Sequence, residues 1–194
     1  TKITVDTKDI PKNLDIENCD IRMLHTWDES IVSVKYYDSA TGTIFLKHEA
    51  AHPSGAFERN EFLFLNTRLG ISEPGTWYYD KNEKILYYHP QKNETAENIT
   101  SFIPQSNGIL KLENCKNITI KNLCFSLSNS ESGKISGLRA INPIGALCFD
   151  KCENILVKNC TVSYSGGQGV KFLKCKNLNV SDCLIEKCAS CGIV

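Results

Sequence analysis

From about residue 109 the chain repeats itself every 23 residues, and a repeat of that length restricts the possible folds more than any other feature of the sequence. Three runs, 110–123, 147–160 and 170–183, share one pattern. Each has an apolar-x-apolar start, then Cys-x-Asn, then two aliphatic residues flanking a variable one, then Asn or Asp before Leu or Cys. Cys152 to Cys175, Asn154 to Asn177, Cys160 to Cys183 and Gly169 to Gly192 are all 23 residues apart. Cys115 to Cys152 is 37, or 23 plus an insertion of 14. The flanking matches place the insertion between Phe125 and Leu147, in a stretch rich in Ser, Gly and Asn that reads as a loop.

Within each unit three short segments alternate apolar and polar residues with period two, as in Val170-x-Phe172, Leu178-x-Val180 and Cys183-x-Ile185. Helical spacing fails in all three, so each reads as a strand. Three strands per coil, with each coil stacked on the next, make a parallel β-helix of about three coils over residues 105–194. Equivalent residues then lie about 4.8 Å apart in columns. Asn117, Asn154 and Asn177 form one column, whose amides can donate to one neighbour and accept from the other. Cys115, Cys152 and Cys175 form another, and Leu123, Cys160 and Cys183 a third. A column that exchanges Leu for Cys is apolar, so the expected role of these cysteines is reduced core packing. That accounts for half of the ten cysteines. Cys19 falls between alternating segments, Cys188 and Cys191 remain a plausible pair, and Cys124 and Cys148 read as exposed thiols. Ser190 to Val194 is an apolar strand-like run without a polar tail. The chain therefore reads as an internal segment of a longer protein, whose last coil would present an unpaired edge.

The 23-residue period is absent before residue 109. Residues 1–26 read as a partial coil or lead-in strands, on the alternation at Leu14-x-Ile16 and Ile21-x-Met23. Residues 27–104 read as a β-rich insert, a small sheet or half-barrel. Ile31–Tyr37 and Thr43–Leu46 form one expected hairpin, and Trp77–Tyr79 and Ile85–Tyr88 another. The aromatic residues of the second hairpin suit either sugar stacking or cross-strand pairing, with pairing the favoured reading. The fold class is all-β.

Lys plus Arg and Asp plus Glu are both 22, a neutral balance that disfavours binding to a nucleic-acid backbone. No apolar run approaches the roughly 18 residues of a membrane span, so no membrane partner is expected. The Cys188/Cys191 CxxC has no second CxxC, and His48 and His52 flank Glu49 in a loop-like stretch before Pro53. Neither makes a full zinc set, so no metal and no cofactor is expected.

Strand alternation turns Lys111 and Glu113 outward, and their equivalents are Cys148 and Asp150, then Lys171 and Leu173. Glu113 and Asp150 therefore stack as neighbours. Carboxylates about 5 Å apart suit a retaining glycosidase, and like charges that close raise one pKa, as a general acid requires. These two are the candidate catalytic residues. Lys171, Gln168 and Arg139 are the candidate substrate-binding residues, with Lys171 placed to neutralise part of the pair. The alternative reading is a solvated surface column.

The repeat pattern resembles the right-handed parallel β-helix proteins of the pectate-lyase-like superfamily. A narrower resemblance lies in Arg59 to Asn66, Ser72 to Asp80 and Ile85 to Pro90, which are similar to a hairpin block preceding the main helix in β-helix glycoside hydrolases. Thr76 stands here where those proteins carry Glu, and Glu83-Lys84 where they carry a turn glycine. The resemblance implies a carbohydrate-active enzyme, a glycoside hydrolase on a plant or microbial polysaccharide, placed outside the cell or in the periplasm. The alternatives it leaves are a polysaccharide lyase of the same fold and a non-catalytic adhesion or sugar-binding β-helix. It also implies further sequence before Trp27 and more coils after Val194. Polygalacturonase-like relatives carry acids just before the first-strand glycine of a coil. Here Gln168 and Cys191 hold those positions, which leaves open acids beyond Val194 or in the insertion around Glu131 and Arg139.

Overall fold

The computed structural model describes the chain except residues 54, 57–60, 131–133 and 137–143, with only the backbone of 134–136. Its contacts separate into two units, Thr1–Thr100 with Ser132–Ile141, and Ser101–Glu131 with Asn142–Val194.

The first unit is built from antiparallel strands. They are β1 (Lys2–Thr4), β2 (Asp20–Leu24), β3 (Glu29–Asp38), β4 (Thr43–Leu46), β5 (Phe62–Leu65), β6 (Trp77–Asp80) and β7 (Ile85–Tyr88). The first five make one sheet in the order β1-β4-β3-β2-β5, and β6 and β7 pair with each other. Both expected hairpins form. The β3–β4 turn relies on Gly42 at φ 66, where a Cβ would meet the Val5 carbonyl oxygen at 2.4 Å. The β6–β7 turn is closed by Asp80, whose Oδ1 accepts from the amides of Asn82 and Glu83 at 2.9 Å each. Lys84 takes φ 58 where the similar proteins have glycine, a left-handed conformation that costs a non-glycine residue about 1–2 kcal/mol. The core of this unit is Ile21, Val32, Val34 and Ile44, all at 0% exposure.

Of the two readings of residues 1–26, a partial coil or lead-in strands, the strands are what forms here. β2 lies antiparallel between β3 and β5, so its alternating residues supply one face of the sheet. Period-two alternation is the same in parallel and antiparallel strands, so the pattern alone could not separate the two.

The second unit carries the repeat. Its strands are β8 (Leu110–Glu113), β9 (Lys116–Lys121) and β10 (Cys124–Ser128), then, after the insertion, β12 (Gly145–Asp150), β13 (Glu153–Lys158), β14 (Thr161–Ser165), β15 (Gln168–Leu173), β16 (Lys176–Ser181) and β17 (Leu184–Glu186). They form three parallel sheets, β8-β12-β15, β9-β13-β16 and β10-β14-β17. The register is the one the repeat dictates: Leu110 on Leu147 on Val170, Ile118 on Ile155 on Leu178, Phe125 on Val162 on Ile185. The middle coil is buried from both sides, with Leu147 and Phe149 at 0% exposure and Ile155, Val157 and Val162 at 2% or less. Burial of this kind contributes roughly 1.5–3 kcal/mol per side chain. Phe149 also stacks on Phe172, with ring centroids 5.0 Å apart.

The asparagine column is a hydrogen-bonded ladder. Asn177 donates to Asn154 at 2.9 Å, and Asn154 to Asn117 at 2.8 Å. All three sit at left-handed φ near 55°, which Asn tolerates better than most residues. A second ladder joins Asn159 to Asn122 at 2.8 Å, and its third position, Asp182, pairs instead with Lys158 at 3.4 Å. The cysteine columns also bond upward, as when Cys175 Sγ reaches the Phe149 carbonyl at 3.4 Å and Cys183 Sγ the Val157 carbonyl at 3.6 Å. All ten cysteines are free, including Cys188 and Cys191.

The insertion holds more than a loop. Its strand β11 (Lys134–Ser136) pairs antiparallel with Ser30–Val32 of β3 and so belongs to the first unit. The reason lies in strand lengths: β3 has ten residues, β4 covers only Val34–Asp38, and Ser30–Val32 would otherwise be an open edge.

Candidate functional site

The outward face of sheet β8-β12-β15 brings the sequence candidates together. Lys111, Cys148 and Lys171 form one column in register, and Glu113, Asp150 and Leu173 the next. Glu113 and Asp150 thus occupy adjacent strands as direct partners. Four details depart from the expectation drawn from alternation.

The first concerns the cation beside the pair. Lys111, two residues back on the same face of β8, holds the Glu113 carboxylate at 2.8 Å. This hydrogen bond and charge keep the Glu113 carboxyl below the usual carboxylate range and raise Lys111. The raised carboxyl that a general acid requires is therefore not found at Glu113. The i, i+2 spacing of Lys111 and Glu113 carried that signal in the sequence.

The second concerns Lys171, which is 3% exposed rather than a solvated surface lysine. It packs over Gly145, where a Cβ would come within 2.9 Å of Lys171 Cβ. The third is Cys148, expected as an exposed thiol but buried between the two lysine positions. Burial pushes its thiol up in pKa, against the pull of Lys171 and Lys111.

The fourth is Gln168. It faces Gly145 across the strand pair and is 7% exposed. Its backbone carbonyl accepts from Ser165 Oγ at 2.7 Å, but its side-chain Oε1 is buried without a hydrogen-bond partner. A buried acceptor left unsatisfied costs about 1–3 kcal/mol. Arg139, with Glu131, lies outside the described residues, as do Arg59 and Asn60 at the start of the hairpin block.

The first unit holds further features. Asn66 clasps β6: its Oδ1 accepts from Tyr79 N and its Nδ2 donates to Tyr79 O, both at 3.0 Å. This explains an asparagine ahead of the hairpin block. In the hairpin Trp77 faces Tyr88, and Tyr78 stacks on Tyr87 at 6.0 Å, which is cross-strand pairing. His52 meets His25 rather than His48, with ring centroids 5.0 Å apart, and reaches Asp28 Oδ2 at 3.4 Å. His25 shares a hydrogen bond of 3.0 Å with Ser30, and burial lowers its pKa. No local spacing joins residues 25 and 52, so the sequence held no signal for this contact. Among the described residues, no group of three or more His, Cys, Asp or Glu is arranged to hold a metal ion.

The family model described as right handed beta helix region matches residues 79–194. No curated protein and no solved structure matches the chain. The matched segment is more than half of the chain and contains all three stacked parallel sheets, which repeat at the spacing read from the sequence. By repeat, by register and by family match, the chain belongs to the right-handed β-helix family.

Proposed function

We propose that this chain belongs to a carbohydrate-active enzyme, a glycoside hydrolase acting on a plant or microbial polysaccharide outside the cell or in the periplasm. The sugar lies along the outward face of sheet β8-β12-β15. The observation that carries this reading is the in-register pairing of Glu113 with Asp150 on adjacent strands. Strands about 4.8 Å apart match the short carboxylate separation of retaining enzymes better than the wide gap of inverting ones. Lys111 keeps Glu113 ionised, which suits the nucleophile or base, with Asp150 as the second carboxyl of the pair. Gln168 and Lys171 lie next to the pair on the neighbouring strand, both covered, so the accessible contacts for the sugar are Glu113, Asp150 and Lys111.

A polysaccharide lyase is the second reading. It is favoured by the lysine positions in the column beside the carboxylates, Lys111 and Lys171, because a lyase needs cationic neutralisation of a uronate as well as a base.

Incubation with a polysaccharide panel separates the readings. New reducing ends alone indicate a hydrolase, unsaturated products a lyase, and binding without products a sugar-binding β-helix. Glu113→Gln and Asp150→Asn should each lower kcat on the order of 100-fold or more with the fold retained. Turnover unchanged in both variants sinks the proposed pair. Lys111→Met should raise the Glu113 carboxyl pKa, read by carboxyl NMR titration, and move the acidic limb of the pH–rate profile upward.

A further inference from the structure

Strand β5 is an edge of the first unit's sheet, with β2 on its inner side and no strand on its outer side among the described residues. The hydrogen bond from Leu24 N to Glu61 O, at 3.0 Å, sets the parity of the β2–β5 ladder. Bonded and non-bonded pairs alternate along an antiparallel ladder. Arg22 therefore exchanges its bonds with Leu63, and Asp20 with Leu65, which turns the N–H and C=O groups of Phe62 and Phe64 away from the sheet. Proteins usually blunt such an edge with Lys, Pro or a bulge. Strand β5 reads Phe-Leu-Phe-Leu and has none of these. Leu63 is 49% exposed, and a cavity of about 740 Å³ lined by Leu14, Leu24 and Leu69 runs beside the strand.

We propose that β5 is a homodimer interface, in which two copies of this chain pair antiparallel about a two-fold axis at Leu63. In that register Phe62 of one copy faces Phe64 of the other, and all the outward backbone groups of these residues meet a partner. Leu63 then faces Leu63 across a close, non-bonded pair, which removes its exposed side chain from water. Glu61 faces Leu65, so no like charges oppose. The second copy is favoured over an unrelated strand because the open positions are self-complementary. The strand carries no charge to select a different partner, and a two-fold pairing closes both edges at once.

Analytical ultracentrifugation over a concentration series, with amide hydrogen exchange on the same samples, tests this. The expected result is a species of twice the 21.7 kDa chain mass that dissociates on dilution. Phe62 and Phe64 amides should exchange at least about tenfold more slowly in the dimer, since exchange then requires opening of the new ladder. Leu63→Lys should weaken association at least tenfold and Leu63→Gln less, whereas Leu86→Lys, at an exposed position on β7, should leave it unchanged. A monomer at every concentration overturns the proposal. So does association that persists in Leu63→Lys with fast exchange at Phe62 and Phe64, or assembly beyond two copies through another edge. Should Leu63→Lys lose its β circular dichroism, the dilution series on the unaltered chain decides alone.

Discussion

The two units stabilise β structure in different ways. In the second, each strand touches its own equivalent one coil away, so at several positions a residue meets its own kind: Asn154 on Asn117, Cys175 on Cys152, Phe172 on Phe149. In the first, neighbouring strands run antiparallel and join dissimilar segments, as β2 joins β3 and β5, and β11 returns from more than ninety residues away to complete β3. Repetition makes stability a sum of coil-to-coil terms that depend on position in the stack. The antiparallel unit has no such equivalence, and its special positions are single contacts such as Gly42 against Val5 or His25 against His52.

The largest test of this difference is a pair of truncations. Phe149→Ala in the middle coil should cost about 3–5 kcal/mol, the range for a fully buried phenylalanine. Phe172→Ala, one coil on and only partly buried, should cost clearly less. Urea denaturation followed by a probe specific to each unit measures both. Equal losses would mean that coil position does not govern stability.

The asparagine ladder offers a finer test. Asn154 both donates and accepts, whereas Asn177 only donates within the stack. Asn154→Ala should cost about 2 kcal/mol from two lost bonds and the left-handed backbone, and Asn177→Ala about 1 kcal/mol less. Asn154→Gly, which keeps the backbone freedom and loses only the amide, should fall between wild type and Asn154→Ala. Should Asn154→Gly match Asn154→Ala, the amides rather than the backbone account for the whole effect.

The smallest expected effect separates the units by pH. All four histidines, at 25, 48, 52 and 89, lie in the first unit. His25 has a folded-state pKa below its ordinary value of 6.5, chiefly because burial disfavours the imidazolium, with Asp28 opposing and His52 adding to the shift. The unfolded chain then takes up the proton first. The contribution is complete above pH 6.5 and is lost as pH falls through 6.5 toward the folded value. The first unit should lose stability over that window while the second stays level, and His25→Gln should flatten the first unit's profile. A matching loss in the second unit would contradict the assignment.

The repeat made the fold of the second unit legible at the level of single residues, down to which residues share a column. Its period also set Glu113 beside Asp150. The site was legible in register but not in state. The sequence placed Lys171 and Cys148 on the outward face, and the structure buries both, because exposure depends on what covers a face and alternation reports only which face it is. The ion partner of Glu113 is Lys111, two residues back on the same strand, rather than a residue of the stacked column. In the first unit both hairpins were readable from turn residues and alternation. The antiparallel placement of β2 and the return of β11 were not, since they are pairings between distant, unlike segments.

Strand period, coil length, stacking register and the chemistry of the columns were all written in the order of the residues. These follow from local alternation and from a spacing that recurs along the chain. Three-dimensional packing settled which outward residues are covered, which cation holds Glu113, that Gln168 Oε1 is left without a partner, and that β5 has no strand on its outer side among the described residues. Those outcomes rest on contacts between segments with no repeating relation, where burial and hydrogen bonding are settled by three-dimensional neighbours.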